Sequence, residues 1–423
     1  MMKKIIILFV CMVLFTPSVI AEVVHIPLES AVELSLENNV DLLSKRKKIE
    51  ELKQDVKIAN ALKNPQFQSN FLMGKVTRGN SSQFGLALPV EIGKRGVRKK
   101  AAIAQLHIME DEINAAEHNL KIEVMRKYYN VLYMKSVVLI LKERERMFNR
   151  VKSTAIQKPK TSPNYDIEVL QNDIKYQKQL IFLNKAKADL LNAQFDLNNS
   201  MNIRNSSVMY DTQEESLFAD GLAFFGFELL PYPEIEATAM IYSYALAISD
   251  DTIKRDELNL QLAGRQRIPD VTVGGGYAYQ TAHQAGGEAF PGAYAGVSFD
   301  IPVLYNFSPE IKKSKIIVER SKMDKESFEN HLKYSLKEDY NNFKYAKENL
   351  RHYESIIKDY RTVLNSYKKR YEKGQVSLLN LFQVENYYQE NLREYINATK
   401  VYYDSYLNLM QNVGHDILLP ENI

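Results

Sequence analysis

The sequence has no tryptophan and one cysteine, Cys11, which lies in an apolar stretch near the N-terminus. A disulfide within the chain is therefore excluded, and stability must come from packing or from association with other chains. Glycine (17) and proline (13) are scarce among the 423 residues, which argues against a disordered chain. The remaining composition, 45% hydrophobic and 25% charged, fits two or three ordinary domains or one elongated domain.

The first 21 residues have the pattern of a secretory signal. Lys3 and Lys4 precede an apolar core over residues 5–15, and Pro17 and Ala21 follow. We predict cleavage after Ala21. The alternative is a retained membrane anchor, but the apolar run is short for about 30 Å of hydrocarbon.

No excess of either charge is present. The formal net charge of +3 falls to +1 when Lys3 and Lys4 are removed with the signal, so no nucleic-acid partner is predicted. Beyond the signal, no run reaches about 18 apolar residues, so the sequence predicts no further transmembrane helix. An exported chain of this kind enters a membrane only as β-strands.

Motifs that carry catalysis or ligand binding are also missing. The sequence has no HExxH segment, no cysteine pair and no nucleophile–base constellation, so we predict no enzymatic activity, no metal site and no cofactor. His107 and His118 share a helix face, but about 16 Å separates them, which is too far for one ion. The three glycines at residues 274–276 lack the GK of a phosphate-binding loop.

What the sequence does contain is one order of segments that occurs twice. Each copy has a helix, two short strands joined by a turn, and a long helical stretch that breaks and resumes. The predicted domains are a signal over 1–21, a first repeat over 22–205, an equatorial inter-repeat segment over 206–232, a second repeat over 233–413 and a tail over 414–423. The predicted strands cover about 66–77, 82–90, 270–281 and 291–302, and the predicted helices about 28–63, 97–154, 164–200, 233–266, 308–373 and 378–412. A period this long indicates one tandem duplication and not a solenoid.

The long helices of the second repeat have a coiled-coil pattern. Apolar and aromatic residues recur at spacings of three and four, which predicts a narrow seam between antiparallel helices joined near Gly374. We interpret the tyrosines of this seam as packing residues. The predicted seam residues are Phe343, Ala346, Leu350, Tyr353, Ile357, Tyr360, Leu364, Tyr367 and Tyr371 in one helix and Tyr388, Leu392, Tyr395, Thr399, Tyr402, Tyr406 and Leu409 in the next.

The strands alternate between apolar residues and small or polar ones. Val273 and Tyr277 share a face, Gly274 and Gly276 share the opposite face, and the other three strands follow the same rule. In an exported protein this pattern is typical of a membrane barrel with a wet lumen, although a half-buried soluble sheet gives it as well. Four strands cannot enclose a water-filled lumen, and unpaired edges are costly in lipid, so several chains would have to share one barrel.

The order of segments and their junctions resemble the TolC family of outer-membrane efflux channels. The stretches that carry the resemblance are ESAVELSLENNVDLL, KNPQF, LPVEIGKRGVRKKAA, IPDVTVGGGYAYQ, VSFDIPV and YEKGQVSLLNLFQVENYY. Residues 88–98 are most similar to the CzcC/CusC-like branch, which exports heavy-metal cations.

The resemblance implies a mostly α fold with membrane β. The expected assembly is a homotrimer whose twelve-stranded barrel crosses the lipid of the outer membrane and whose helical barrel extends into the periplasm. It further implies a passive duct that works with a periplasmic adaptor protein and an inner-membrane pump, with an RND-type pump as the expected partner.

The resemblance assigns roles to residues near two helical turns. In the second turn, Gly374 makes the bend, and Tyr371 matches a tyrosine that helps to hold the closed state. Asn380 and Gln383 occupy positions where relatives often carry acidic rings that narrow the entrance. Because both are uncharged here, a strong cation-attracting ring is in doubt, and they are either pore-narrowing amides or ordinary solvated positions. Asp166 falls at the acidic position near the first turn, which we expect to contact the adaptor.

Further roles are predicted where strand becomes helix. Pro89 and Pro302 end the descending strands and, with Gly93, are expected to form a swivel between sheet and helix. A basic cluster follows the first junction, and two interpretations are open: it meets lipid phosphates at the inner membrane interface, or it is a solvated helix start. Its members are Lys94, Arg95, Arg98, Lys99 and Lys100.

Other functions stay open at this stage. A periplasmic coiled-coil adaptor would also have helical hairpins, but it would carry one hairpin with flanking domains and not a duplication with amphipathic strands. An outer-membrane duct for drugs or for type I protein secretion would share the predicted fold. The sequence therefore does not identify the cargo.

Overall fold

The computed structural model describes residues 22–72, 81–157, 165–202, 208–217, 229–280, 290–373 and 375–414. The elements of the first half are β1 (Glu22–Ile26), α1 (Leu28–Asn38), α2 (Val40–Ala59), β2 (Gln66–Leu72), β3 (Ser81–Val90), α3 (Arg95–Gln157), α4 (Tyr165–Ser200) and β4 (Val208–Thr212). Those of the second half are α5 (Tyr232–Tyr242), α6 (Tyr244–Arg265), β5 (Val271–Gln280), β6 (Phe290–Phe299), α7 (Ser308–Glu372) and α8 (Leu378–Val413). The chain is thus mostly helical, as predicted. None of the helices in these ranges combines the length and the apolar content that a membrane-spanning helix requires.

The first helix of each predicted repeat is broken, and here the sequence prediction was wrong. A single helix was expected over 28–63, but α1 and α2 are separated by Asn39, which has an extended backbone. The side chain of Asn39 accepts a hydrogen bond from the backbone N–H of Leu42 at 2.9 Å, so it caps α2. The helix expected over 233–266 is likewise divided into α5 and α6 by the extended residue Ser243.

Two compact units divide the chain, and each combines parts of both predicted repeats. The first unit contains Met1–Leu43, Ala116–Ile241 and Tyr334–Ile423, and the second contains Ser44–Ala115 and Tyr242–Lys333. The repeat boundaries themselves stay a prediction.

The first unit contains a small parallel sheet that the sequence did not predict. Strands β1 and β4 pair in register from Glu22 opposite Val208 onward. The sheet is anchored to α3 by Tyr128, whose hydroxyl donates to the Glu214 carboxylate at 2.5 Å and lies 3.0 Å from the carbonyl oxygen of Ile26. Burial and the hydrogen bond to Glu214 raise the pKa of Tyr128 far above its usual value, so its hydroxyl stays a donor.

The predicted seam between the last two helices is confirmed. Every predicted seam position whose side chain the structure describes is buried or half-buried. The ring of Phe343 on α7 lies 5.1 Å from that of Tyr402 and 5.8 Å from that of Tyr406, both on α8. Burial raises the pKa of Tyr395 to about 12, so this ring stays neutral within the seam.

The second unit joins its helices to a four-stranded antiparallel sheet with the order β2-β3-β5-β6. One buried carboxylate connects these helices. Asp256 on α6 is 4% exposed, accepts a hydrogen bond from Ser321 on α7 at 2.6 Å, and pairs with Arg255 at 2.9 Å. Arg255 also donates to Gln105 on α3 at 2.9 Å, so three helices are connected by polar contacts. A buried charge of this kind is tolerated because each oxygen has a partner.

Candidate functional site

The four-stranded sheet has one face of exposed apolar side chains. The strand register places Phe84 opposite Tyr277 and Val273 opposite Val297, so the apolar residues of neighbouring strands form continuous rows. The alternation predicted from the sequence therefore corresponds to a real face, and this face lies open within the described residues. Its exposed members are Phe67, Phe71, Phe84, Leu86, Leu88, Val90, Val273, Tyr277, Tyr279, Val297 and Phe299.

The opposite face is lined by small residues that approach one another closely. Gly85 on β3 pairs with Gly276 on β5. A Cβ atom at Gly276 would lie 2.5 Å from the Cα of Gly85 and would clash with the carbonyl of Phe84. The hydroxyl of Tyr294 on β6 lies over Gly85, two strands away. The glycines therefore permit a close strand pair with a tyrosine ring across it.

The sheet has two open edges. Strands β2 and β6 are its outer members, and each is paired on one side within the described residues. An edge in hydrocarbon would leave backbone N–H and C=O groups unsatisfied, which costs several kcal/mol for each group. In lipid this sheet requires further strands along both edges.

The residues predicted for the strand–helix junctions lie where expected in the chain. Pro89 is the penultimate residue of β3, and Pro302 follows the end of β6. Gly93 has a positive φ of 70°, a conformation that favours glycine, and its carbonyl accepts a hydrogen bond from Arg265. Whether these residues act as a swivel stays a prediction.

The basic cluster at the first junction is engaged with the chain itself. Arg95 donates to the carbonyl of Asn60 at 2.6 Å, and Arg98 donates to that of Ala59 at 2.9 Å, so both reach the end of α2. Arg98 also forms a bidentate pair with Glu91 at 2.7 and 3.0 Å. These contacts are those of a structural clasp, and the predicted contact with lipid stays untested.

Asp270 is the centre of the remaining contacts at this junction. It pairs with Lys94 at 2.8 Å and with Lys63 at 2.9 Å. Partial burial disfavours the charged form, but the hydrogen bonds from the two lysines outweigh it and hold the pKa of Asp270 below its usual value. This role of Asp270 was not predicted from the sequence. The signal in the sequence was the position of Asp270, an acidic residue directly before β5, in a chain that carries a basic run shortly after β3.

The residues assigned to the second helical turn lie on both sides of it. Tyr371 is in the last turn of α7, but its side chain lies outside the described residues, as does the whole of Gly374. Asn380 and Gln383 are exposed near the start of α8. The hydroxyl of Ser377 accepts a hydrogen bond from the backbone N–H of Asn380 at 3.2 Å, so it caps this helix.

Asp166 is the second residue of α4 and is exposed. Most of the first helical turn, residues 158–164, lies outside the described residues. The structure therefore places Asp166 at a solvent-facing helix start, and its contact with an adaptor stays a prediction.

A contact near the second turn was not predicted. Arg144 on α3 donates to the side chain of Asn386 on α8 at 3.2 Å and lies over the ring of Phe148. Burial lowers the pKa of Arg144 and raises that of the neighbouring Glu385. The two partners lie 242 residues apart, so no local pattern in the sequence could have identified the pair.

No cluster of three or more His, Cys, Asp or Glu side chains that could hold a metal ion occurs among the described residues. The candidate functional elements are the amphipathic sheet, the junction clasp and the two helical turns.

Comparison with known proteins relates these elements to channels. Residues 252–415 match the family described as "Outer membrane efflux protein". A search of curated proteins by sequence finds no match.

Solved structures share the fold over most of the chain. The CmeC outer membrane channel of Campylobacter jejuni has a TM-score of 0.73 at 14% identity, over 92% of this chain and 85% of that one. CusC also has a TM-score of 0.73 at 14% identity, over 92% of both chains. The open-state MtrE outer membrane channel of Neisseria gonorrhoeae has a TM-score of 0.71 at 13% identity, over 92% of this chain and 88% of that one.

The resemblance predicted from the sequence is confirmed. The matched family and the shared fold are those of outer-membrane efflux channels, with CusC among the structural neighbours. The description of the matched family, an outer membrane protein, agrees with the predicted location in the outer membrane. A duct and not an enzyme is consistent with this family.

Proposed function

We propose that the protein is the passive outer-membrane exit duct of a tripartite efflux system. A periplasmic adaptor and an inner-membrane pump of the RND type supply the cargo and the energy. The likeness of the fold to outer membrane channels over 92% of the chain favours a duct over an adaptor protein.

The amphipathic sheet is the observation that carries this proposal. Its apolar side chains are exposed on one face, its small residues cover the other, and both edges are open. A sheet with these properties fits a barrel in which lipid covers the apolar face and water fills the lumen. Three copies would supply twelve strands and satisfy every edge.

A homotrimer also explains an apolar stripe on α4. Its members recur at spacings compatible with a heptad and are exposed in the single chain. They suit packing against a helix of another copy, which would continue the barrel below the membrane. The stripe consists of Ile167, Leu170, Ile174, Ile181, Leu191 and Phe195.

The cargo we propose is a small toxic solute, with heavy-metal cations as the first candidates. The support is the similarity of residues 88–98 to the CzcC/CusC-like branch and the presence of CusC among the structural neighbours. Deletion of the gene followed by exposure to metal salts, detergents and antibiotics tests this point. Sensitivity to drugs alone would reject metal export and leave the duct itself intact.

A matched pair of lysine substitutions tests the barrel. Ala295 and Gly296 are adjacent and exposed in β6, and the period of the strand places them on opposite faces. Ala295→Lys would place a charge in lipid, which costs about 2–4 kcal/mol near the bilayer midplane. Gly296→Lys would place the same charge in the lumen, and no heavy atom lies within 4 Å of a Cβ at this position.

We expect Ala295→Lys to abolish the heat-modifiable trimer in outer-membrane detergent extracts, and Gly296→Lys to retain it. Equal assembly of both variants, or recovery of the wild-type protein as a soluble periplasmic monomer, would reject the duct.

The entrance is tested by conductance. We propose that Asn380 and Gln383 narrow the pore where the second helical turn closes the periplasmic end. Replacing both with Ala should then raise the single-channel conductance in planar bilayers. Asn391→Ala, about three turns further along α8, is the control, and unchanged conductance in the double variant would reject the constriction.

A further inference from the structure

The two strand–helix junctions are built on one plan but differ in chemistry. In each, a proline precedes the first residue of the long helix by six positions. The first segment reads PVEIGKR and the second reads PVLYNFS. Leu304 and Phe307 thus stand where the first junction has Glu91 and Lys94. Charged positions of one repeat are apolar in the other.

The charges of the first junction are satisfied within the chain. Glu91 pairs with Arg98, and Lys94 pairs with Asp270. These charged side chains therefore have partners within the chain, and the first junction does not need an external one to satisfy them.

The second junction instead presents bare apolar side chains. Ile301 is 69% exposed, Val303 is 78% exposed and Leu304 is 101% exposed. Val303, Leu304 and Tyr305 line a shallow pocket of about 470 Å³. Contiguous apolar exposure of this kind marks a surface that is covered in the working protein.

This exposure does not come from a loosely held loop. The side-chain oxygen of Asn306 accepts a hydrogen bond from the backbone N–H of Ser308 at 3.1 Å. The backbone carbonyl of Asn306 accepts one from the side chain of Arg267 at 2.9 Å. Phe307 has a positive φ of 56°, which is uncommon for a bulky residue and costs backbone energy. The loop is therefore fixed in a conformation that turns its apolar side chains outward.

Three features identify the cover as lipid. Ile301 continues the apolar face of β6 beyond the end of that strand, so it extends the surface assigned to lipid above. The rings of Tyr305 and Phe307 lie 5.3 Å apart, and aromatic residues are enriched at the level of the lipid headgroups. Lys312 and Lys313 are exposed one turn into α7, where they can meet lipid phosphates.

We infer that residues 301–307, with Lys312 and Lys313, form a phospholipid contact at the periplasmic interface of the outer membrane. This contact belongs to the second junction only, while the first junction is held together by its own ion pairs. The inference rests on the proposed barrel, because the barrel sets the level of the membrane.

The absence of tryptophan from the chain makes a direct test possible. Single tryptophans are placed at Leu304, at Ala295 in the middle of β6, and at Met323, which is exposed 15 residues into α7. Each full-length variant is purified and reconstituted in bilayers of phosphatidylethanolamine and phosphatidylglycerol. Fluorescence is quenched either by a nitroxide on the lipid headgroup or by bromines at the middle of the acyl chain.

We expect Leu304→Trp to lose more intensity to the headgroup nitroxide than to the bromines, and to emit in the bilayer at a shorter wavelength than Met323→Trp. Ala295→Trp should show the opposite order of quenching, and Met323→Trp should respond to neither. In the Leu304→Trp background, changing Lys312 and Lys313 to Gln should weaken the headgroup quenching when phosphatidylglycerol is present.

Failure of the proposed barrel and failure of the proposed lipid contact give different quenching results. If Ala295→Trp is not quenched by the bromines, the barrel itself is rejected. If Ala295→Trp is quenched but Leu304→Trp is not, the barrel stands and the lipid contact is overturned. Within that second case, short-wavelength emission in the bilayer without quenching would assign the cover of Leu304 to another copy of the chain, and long-wavelength emission would show water.

Discussion

Replacement of Gly276 by alanine should disrupt the sheet, although it adds one methyl group. The strand pair of β3 and β5 brings Gly276 and Gly85 together. The new Cβ would lie 2.5 Å from the Cα of Gly85 and 2.8 Å from the carbonyl carbon of Phe84. These are backbone atoms, so no rotation of a side chain can relieve the clash.

Overpacking of a well-packed region costs about 1–3 kcal/mol, and we expect the upper end because the strands must separate. A loss of about 3 kcal/mol in each chain lowers the ratio of folded to unfolded chain more than about a hundredfold. The measurable result is loss of the heat-modifiable trimer from outer-membrane extracts, or its dissociation at a lower temperature.

Two other glycines supply a graded control. At Gly274 a Cβ would approach the carbonyl oxygen of Leu86 at 3.2 Å, a contact that a small shift relieves. At Gly296 nothing lies within 4 Å. Trimer yield should therefore fall in the order Gly296→Ala, Gly274→Ala, Gly276→Ala. An equal yield for all three variants would refute the assignment of Gly276 to a close strand contact.

Three further predictions concern other parts of the chain. Asp270→Asn should cost about 1.5 kcal/mol at pH 7. The pKa of Asp270 in the folded protein lies below its ordinary value of 3.8, so the wild type should be more stable than the variant above that pH. This difference in stability should vanish as the pH falls through the folded pKa. Thermal melts over a series of pH values measure the difference, and one that does not change with pH would contradict the prediction. Tyr128→Phe should lower the free energy of unfolding by about 2 kcal/mol, since the hydroxyl is a donor to the charged Glu214, and an unchanged denaturation midpoint would argue against it. Ser377→Ala should cost about 1 kcal/mol through loss of the α8 cap and should speed proteolysis at the second helical turn, with cleavage elsewhere unaffected.

The parts of the fold that depend on periodicity were predictable from the sequence. The seam of α7 and α8 and the two faces of the sheet follow from repeats of 3.5 and 2, which each segment carries by itself. The helix breaks at Asn39 and Ser243 were not predictable in this way, because neither residue is a proline or glycine. Asn39 ends α1 and caps α2 with its side chain. An asparagine within a helical pattern can either continue the helix or cap a new one, and the pattern alone does not distinguish the two.

The candidate site was predictable in composition but not in pairing. The sequence showed a basic run after β3, but it did not show that Arg95 contacts the end of α2, 35 residues earlier, or that Lys94 pairs with Asp270, 176 residues later. The sequence showed that β5 is rich in glycine. Only its register with β3 shows that Gly276 is required for the close approach of the two strands. The parallel pairing of β1 and β4 was missed because it depends on residues more than half a repeat apart.

That same small sheet constrains the order in which the chain can fold. His25 in β1 contacts the backbone carbonyl of Thr212 in β4, and Thr212 lies 187 residues later in the chain. A chain exported from its N-terminus onward therefore presents β1 to the periplasm long before β4 emerges. Until then β1 is an unpaired strand, open to pairing with the same segment of other newly exported copies. Closure of the small sheet therefore waits until β4 has been exported.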